Sequence, residues 1–271
     1  MGASRALDLE RFLEARGLAK KPGGDLLSGL GARLCRASEL PSPASGRAVR
    51  PTAIRPLDRL LSGGLPEGSL VELSGRRSSG RFSLGLAALA AATFAGQAAA
   101  LVDLGDHFDP QAAEAAGADL RCLLWARPRR VREALAASEM LIAAGFSLVV
   151  ADLGLAPRAR FLPDAVWMRL ARAAQAQGAS LLLSTPWRSS GIAADAVVSA
   201  GARPVWRGGG AAPRLLAGLD LRLTLEKFGR VTPRRAESMS LSVPEAVGSQ
   251  LSAFSQEKPS KSALVRLMAD S

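Results

Sequence analysis

The sequence predicts an α/β domain whose sheet is mostly parallel, flanked by helices, and extended at its C-terminal end by antiparallel strands. Three observations predict it. Between residues 70 and 184 short apolar runs alternate with helical stretches, and a glycine-bounded turn joins the first such run to the first such helix. Beyond Gly191 two long strand-like stretches follow one another with only a glycine cluster between them.

At the start of the chain, Leu7, Leu9, Phe12 and Leu13 interleave with Arg, Asp and Glu, so residues 7–16 read as a short amphipathic helix. Breakers at 20–24, a helical stretch at 26–40 and a Pro/Ser/Gly linker at 41–50 make residues 1–48 an N-terminal helical segment with its linker. The core is expected over 49–243, with strands at 70–73, 98–103, 121–125, 148–152 and 179–184. Its helices fall at 80–96, 110–117, 129–145 and 163–177. Short, continuously apolar strands are those of a parallel sheet covered on both faces. Residues 196–205 and 215–227 read as strands divided by the glycines at 208–210, and a turn at 228–229 sends the chain back along 230–242. From Pro244 the chain is Ser-, Gln- and Lys-rich with weak periodicity, so 244–271 is expected as a flexible tail.

Composition bounds the function classes. With 48% hydrophobic residues the chain can bury a full core. No apolar run reaches the roughly 18 residues of a membrane span. The longest, at 84–100, carries Thr93, Gly96 and Gln97 and reads as a core helix. Residues 1–16 carry charges of both signs and no signal-peptide core, so a cytoplasmic protein is expected. Cys35 and Cys122 form no CxxC pair and read as reduced thiols. His107 is the only histidine, which excludes His-rich metal sites, and no metal is expected. The net charge of +11 rests on 35 basic residues, of which only Lys20, Lys21, Lys227, Lys258 and Lys261 are lysines. Such a balance suits nucleic acid or acidic protein surfaces, or reflects arginine used as a solvated cation. With no Tyr, a base-stacking platform is poorly supported.

The strand–turn–helix at 70–83 carries Gly75 and Gly80 at the spacing of a phosphate-binding loop, G-x-x-x-x-G-K-[ST]. In a working loop the backbone N–H groups hold phosphate oxygens, the lysine reaches the outer phosphates and the hydroxyl ligates Mg²⁺. Here Arg81 stands in the lysine slot and Phe82 in the hydroxyl slot, with Ser83 one position late. An arginine fork does not replace a compact ammonium, and a phenyl ring cannot ligate a metal. Residual ATP binding through Gly75, Ser79, Gly80 and Arg81 is conceivable; efficient hydrolysis is not.

The segment LDRLLSGGLPEGSLVELSGRRSSG at 57–80 resembles RecA recombinases, matching their "LD…G-G-L-P-x-G-x-x-V-E-I-x-G-P-E-S-S-G-K-T" stretch. Residues 101–110, LVDLGDHFDP, are similar to the RecA strand end "F-I-D-A-E-H-A-L-D-P", and 147–152, SLVVAD, to its Walker B strand. The resemblance runs from about residue 49 to 185 and implies a RecA-like P-loop fold. It places the catalytic glutamate of that family on Gly105, the adenine-stacking tyrosine on Ala112 and the signalling glutamine on Thr185, while Asp109 keeps the adenine-contacting carboxylate. Asp152 falls on the Walker B carboxylate; without a hydroxyl at 82, loop capping is the reading preferred for it.

A RecA-like core with altered catalytic positions, an N-terminal helix and a basic tail resembles the ImuA family, which has also carried SulA-like and RecA-like labels. That resemblance implies a non-catalytic accessory role in damage-induced mutagenesis and translesion synthesis. The implied partners are RecA, ImuB and an error-prone DnaE-type polymerase. RecA binding would limit its filament. A divergent DNA-stimulated ATPase or recombinase using Arg81 is the alternative, and a cell-division inhibitor finds no support in the motifs. Further candidates are Arg158 and Arg160 in the first DNA-loop region, Trp187 and Arg188 in the second, and the cluster Arg127, Arg129, Arg130 and Arg132. Leu7, Phe12 and Leu13 form a candidate docking helix. Gln250, Leu251 and Phe254 of the QLSAF tail peptide resemble a sliding-clamp motif, with Ala253 in place of an apolar anchor.

Overall fold

The computed structural model describes residues 47–154, 162–209 and 214–242. Strands β1 (Val49–Arg50) and β2 (Leu65–Pro66) form a small antiparallel pair flanking helix α1 (Arg55–Leu60). The main sheet contains β3 (Ser69–Ser74), β4 (Ala99–Asp103), β5 (Leu123–Ala126), β6 (Leu148–Asp152), β7 (Ser180–Thr185), β8 (Ala196–Arg207), β9 (Leu215–Phe228) and β10 (Arg235–Ser242). Helices α2 (Arg81–Phe94), α3 (Pro110–Ala115), α4 (Val131–Ala143) and α5 (Asp164–Gln177) connect the parallel part. The strand order is β10-β9-β8-β3-β7-β6-β4-β5. Every neighbouring pair from β8 to β5 is parallel, and β9 and β10 continue the sheet antiparallel. The predicted α/β architecture with its antiparallel extension is therefore the one observed.

The strands β3, β4, β6 and β7 are buried along their whole length, which explains why they read as continuous apolar runs rather than alternating ones. Alternate side chains enter different cores. Val71, Leu101, Val150 and Leu182 pack with Leu84 and Leu89 of α2 on one face. Leu70, Val102, Val149 and Leu181 pack on the other face with Ile142 of α4 and with Trp167 and Leu170 of α5.

The sequence reading differs from the fold at three places. Residues 120–122 form a 3₁₀ turn because the Asp119 side chain accepts the Arg121 N–H, so β5 starts at Leu123 rather than at 121. The return strand begins at Arg235, five residues late. Phe228 and Val231 close a bridge, Pro233 follows, and Arg234 has a φ of 46°. Helix α1 and the β1–β2 pair were not anticipated, being too short to show a period. Among the described residues no helix is long and apolar enough to cross a membrane.

Arg50 anchors the β1–β2 pair to the sheet. Its Nε donates to Gln97 Oε1 at 2.7 Å, one terminal nitrogen to Ser180 Oγ at 2.7 Å and the other to Glu67 Oε1 at 3.0 Å. Burial lowers its pKa from the ordinary value, and the Glu67 charge opposes that shift. Truncation in Arg50→Ala removes the donor of the buried Ser180 Oγ and of the part-buried Gln97 and Glu67, and is expected to destabilise the domain by about 2–3 kcal/mol. Urea unfolding measures this as a lowered midpoint with unchanged slope; a loss below about 0.5 kcal/mol contradicts the anchoring role.

Candidate functional site

The site lies at the C-terminal ends of the central strands, where α/β sheets usually bind ligands. Strand β3 ends at Ser74, residues 75–80 turn, and α2 begins at Arg81. The Gly75 N–H donates to Thr185 O at 3.0 Å and the Ser79 N–H to Arg76 O at 3.2 Å, which fixes a tight turn. Gly80 caps the helix with φ 81°, a left-handed conformation, and an added Cβ would meet Leu221 at 2.8 Å. Ser79 Oγ is buried and has no hydrogen-bond partner among the described residues.

Register sets the rest of the site. Asp103 of β4 faces Asp152 of β6, Asp152 faces Ser184 of β7, and Ser184 faces Leu73 of β3. Arg81 turns inward from the first residue of α2 toward this row of strand ends. One of its terminal nitrogens donates to Ser184 Oγ at 2.6 Å and to Asp152 Oδ1 at 3.3 Å, and the other to the Gly154 carbonyl at 3.3 Å. Ser184 Oγ in turn donates to Asp152 Oδ1 at 2.7 Å. Arg81 is 8% exposed and Asp152 3%. Burial lowers the Arg81 pKa from its ordinary value, while the Asp152 charge and hydrogen bond oppose the shift. Asp152 is thus not a loop cap, as its sequence position suggested. It is the buried counter-ion of the phosphate-loop arginine. A void of about 10 Å³ beside the pair has room for one water at most.

The model of the RecA N-terminal domain matches residues 49–175. RecA of Clavibacter michiganensis is 42% identical over 116 residues, 41% of this chain and 32% of that protein. RecA of Tropheryma whipplei is 39% identical over 120 residues, 43% of this chain and 28% of its own. This chain therefore spans about a third of the length of the curated relatives it matches. The crystal structure of the RadB recombinase superposes with a TM-score of 0.55 at 18% identity, covering 72% of this chain and 96% of that one. The core is RecA-like.

Within the RecA-like core, Gly75, Ser79, Gly80, Arg81 and Asp152 come together around the turn. Asp109 instead caps α3, its Oδ1 accepting the Gln111 N–H at 2.9 Å. Phe82, in the hydroxyl slot, meets the His107 imidazole edge-on with centroids 5.8 Å apart. Arg127 forms a bidentate pair with Asp106 at 2.7–2.8 Å and stacks 4.6 Å over Trp125, so the arginine cluster at the β5–α4 junction is partly committed. Arg129, Arg130 and Arg132 of that cluster are exposed. Leu7, Phe12, Leu13, Arg158, Arg160, Gln250, Leu251 and Phe254 lie outside the described residues.

Glu72 was missed by the sequence reading. It is fully buried in β3 and accepts hydrogen bonds from Thr185 Oγ1 at 2.8 Å and from the N–H groups of Ser189 and Ser190 at 2.6 and 3.0 Å. The Ser190 hydroxyl donates to it as well. The carboxylate thereby fixes the loop after β7, where Trp187 is half-buried with an enclosed indole N–H and Arg188 is exposed. The signal available in the sequence was a lone charge inside an apolar strand. Arg188, Lys227 and Arg230 line an open cleft of about 480 Å³ next to this loop. Lys227 Nζ donates to the carbonyls of Ile192 and Ala194 at 2.9 and 2.6 Å. Its pKa is lowered by burial and by the Arg188 charge, against Asp195 and Glu72.

Two outcomes are expected of these networks. Arg81→Met or Asp152→Leu alone strands a buried charge and should lower stability by about 3–5 kcal/mol. The double variant Arg81→Met/Asp152→Leu should lose clearly less than the sum; additive losses in denaturant titrations would show the two uncoupled. Glu72→Ala leaves several donors unpaired and should lower stability by about 3 kcal/mol or more. It should also speed amide hydrogen exchange at Ser189 and Ser190, and unchanged protection there would remove Glu72 as the loop's anchor.

Proposed function

We propose that this protein is a non-hydrolysing, RecA-like accessory factor that acts by binding other proteins of damage-induced mutagenesis and translesion synthesis. The observation that carries this reading is the state of Arg81. The residue that should face a nucleotide's outer phosphates is turned into the protein, hydrogen-bonded to Ser184 and Gly154 and paired with Asp152. Reaching a phosphate would separate a buried ion pair, and Phe82 offers no metal ligand in exchange. The missing carboxylate at Gly105 leaves no side chain there to orient an attacking water.

The partners in this proposal follow from the resemblance to the ImuA family: RecA, ImuB and a DnaE-type polymerase, with the sliding clamp as a further contact through 250–254. A RecA-like core presents surfaces suited to a RecA protomer. An incorporated copy with these substitutions would not complete an interfacial ATP site, so filament growth beyond it would stall. Direct DNA contact would be weak, sequence-blind and salt-dependent, supported by the net charge of +11.

The test mixes purified protein with RecA and single-stranded DNA. Near-stoichiometric amounts should bind RecA in calorimetry at micromolar concentration and lower strand exchange, while ATP turnover by the protein alone stays at background. Turnover in the range of recombinases overturns the non-hydrolysing reading. Absence of any RecA complex removes the filament-limiting role and leaves a scaffold for ImuB.

A further inference from the structure

Three departures from a nucleotide-binding pattern, Arg81, Phe82 and Gly105, converge on one small cluster of side chains. Strands β4 and β6 place Asp103 beside Asp152 in register, and the two are 0% and 3% exposed. Neighbouring buried carboxylates repel, and each needs its oxygens satisfied. Asp152 Oδ1 is held by Arg81 and Ser184, and Asp103 Oδ2 accepts the Phe108 N–H at 2.9 Å. Asp103 Oδ1 is buried with no hydrogen-bond partner among the described residues. An orphaned carboxylate oxygen beside a second carboxylate is a place where a cation stabilises the fold.

His107 supplies the third group. Its Nδ1 lies 3.5 Å from Asp152 Oδ2, and its side chain is 52% exposed, so the cluster opens to solvent on that side. The ring is positioned by the other two departures. An added Cβ at Gly105 would come within 2.2 Å of the imidazole, so glycine there is what lets the ring stand at the site. Phe82 packs against the same ring. Arg81 binds the other oxygen of Asp152, which leaves Oδ2 facing His107.

We propose that Asp103, His107 and Asp152 bind one divalent transition-metal ion of the Zn²⁺ class, joining the ends of β4 and β6 to the loop between β4 and α3. One ligand atom from each residue lies within 4.8 Å of the other two. A point within about 2.8 Å of all three therefore exists, and Zn–N and Zn–O bonds of about 2.0–2.2 Å require side-chain shifts below about 1 Å. One imidazole and two carboxylates with a fourth position for water is a ligand set that suits Zn²⁺. Mg²⁺, which asks for six oxygens in octahedral array, is a poor match. The Arg81 guanidinium acts behind the ligand, as an outer-shell partner orienting Asp152. This site is independent of whether the protein binds RecA or ImuB.

The experiment titrates ZnCl₂ into chelator-treated full-length protein by calorimetry, with Co²⁺ absorption as a second readout. One equivalent per chain should bind and raise the Tm, and Co²⁺ should give visible bands of a low-coordinate site. His107→Ala, a half-exposed position that should fold, is expected to weaken binding at least about tenfold and abolish those bands. Asp103→Asn keeps the side-chain shape and should weaken binding likewise. The double variant Cys35→Ser/Cys122→Ser should bind as the parent does. No stoichiometric binding, binding indifferent to His107→Ala, or binding lost with the cysteines each overturns the proposal.

Discussion

The ion pair between Arg81 and Asp152 is the interaction on which the C-terminal face of the sheet depends. Moving either charge out of water costs several kcal/mol, and their attraction offsets that only when the remaining hydrogen-bonding capacity is filled. Ser184 and the Gly154 carbonyl supply part of it, on the Oδ1 side of the pair. One residue at the start of α2 is thereby tied to the ends of β6 and β7 and to the loop after β6. The same tie decides where the turn's cation points. A RecA-like strand–turn–helix is retained, with its charge directed into the protein instead of toward a ligand.

Two other buried carboxylates show how differently one sheet edge can treat the same chemical group. Glu72 is saturated by hydroxyl and amide donors and serves as the organising centre of the loop after β7. Asp103 receives a single amide and keeps one oxygen unpartnered. The difference follows from position. Glu72 lies within β3, where the chain leaving β7 folds back over it, whereas Asp103 is the last residue of β4 and faces Asp152. A saturated carboxylate rigidifies its surroundings; an undersatisfied one is poised for an added cation.

The strongly basic composition is only partly available to partners. Arg47 pairs with Asp195, Arg50 with Glu67, Arg121 with Asp119 and Arg127 with Asp106. The Arg121 hydrogen bond holds the Asp119 carboxyl at about 2, well below the usual carboxylate range. Arg129, Arg130, Arg132 and Arg188 are exposed, on the β5–α4 junction and on the loop anchored by Glu72. Exposed arginines also stand on the turn after β3 (Arg76, Arg77), on α5 (Arg169, Arg172) and on the antiparallel strands (Arg203, Arg222, Arg235), so the remaining charge is spread over several elements.

The sequence by itself determined the layered architecture and most of its elements, because buried parallel strands announce themselves as short apolar runs between amphipathic helices. The runs at 148–152 and at 99–103 were legible for this reason. It also determined that Arg81 and Phe82 depart from a nucleotide-binding pattern, since those positions are fixed by spacing from Gly75 and Gly80, while the departure at Gly105 is what the resemblance to RecA implies. Only the tertiary structure decided what the departures do. Arg81 and Asp152 are 71 residues apart, and nothing in either local sequence tells an inward ion pair from a phosphate ligand or a loop cap. Glu72, Thr185 and Ser190, or Asp103, His107 and Asp152, become neighbours only when strands distant in sequence pair in register. That register is set by burial on both faces of the sheet, a property of the assembled layers and not of any one segment.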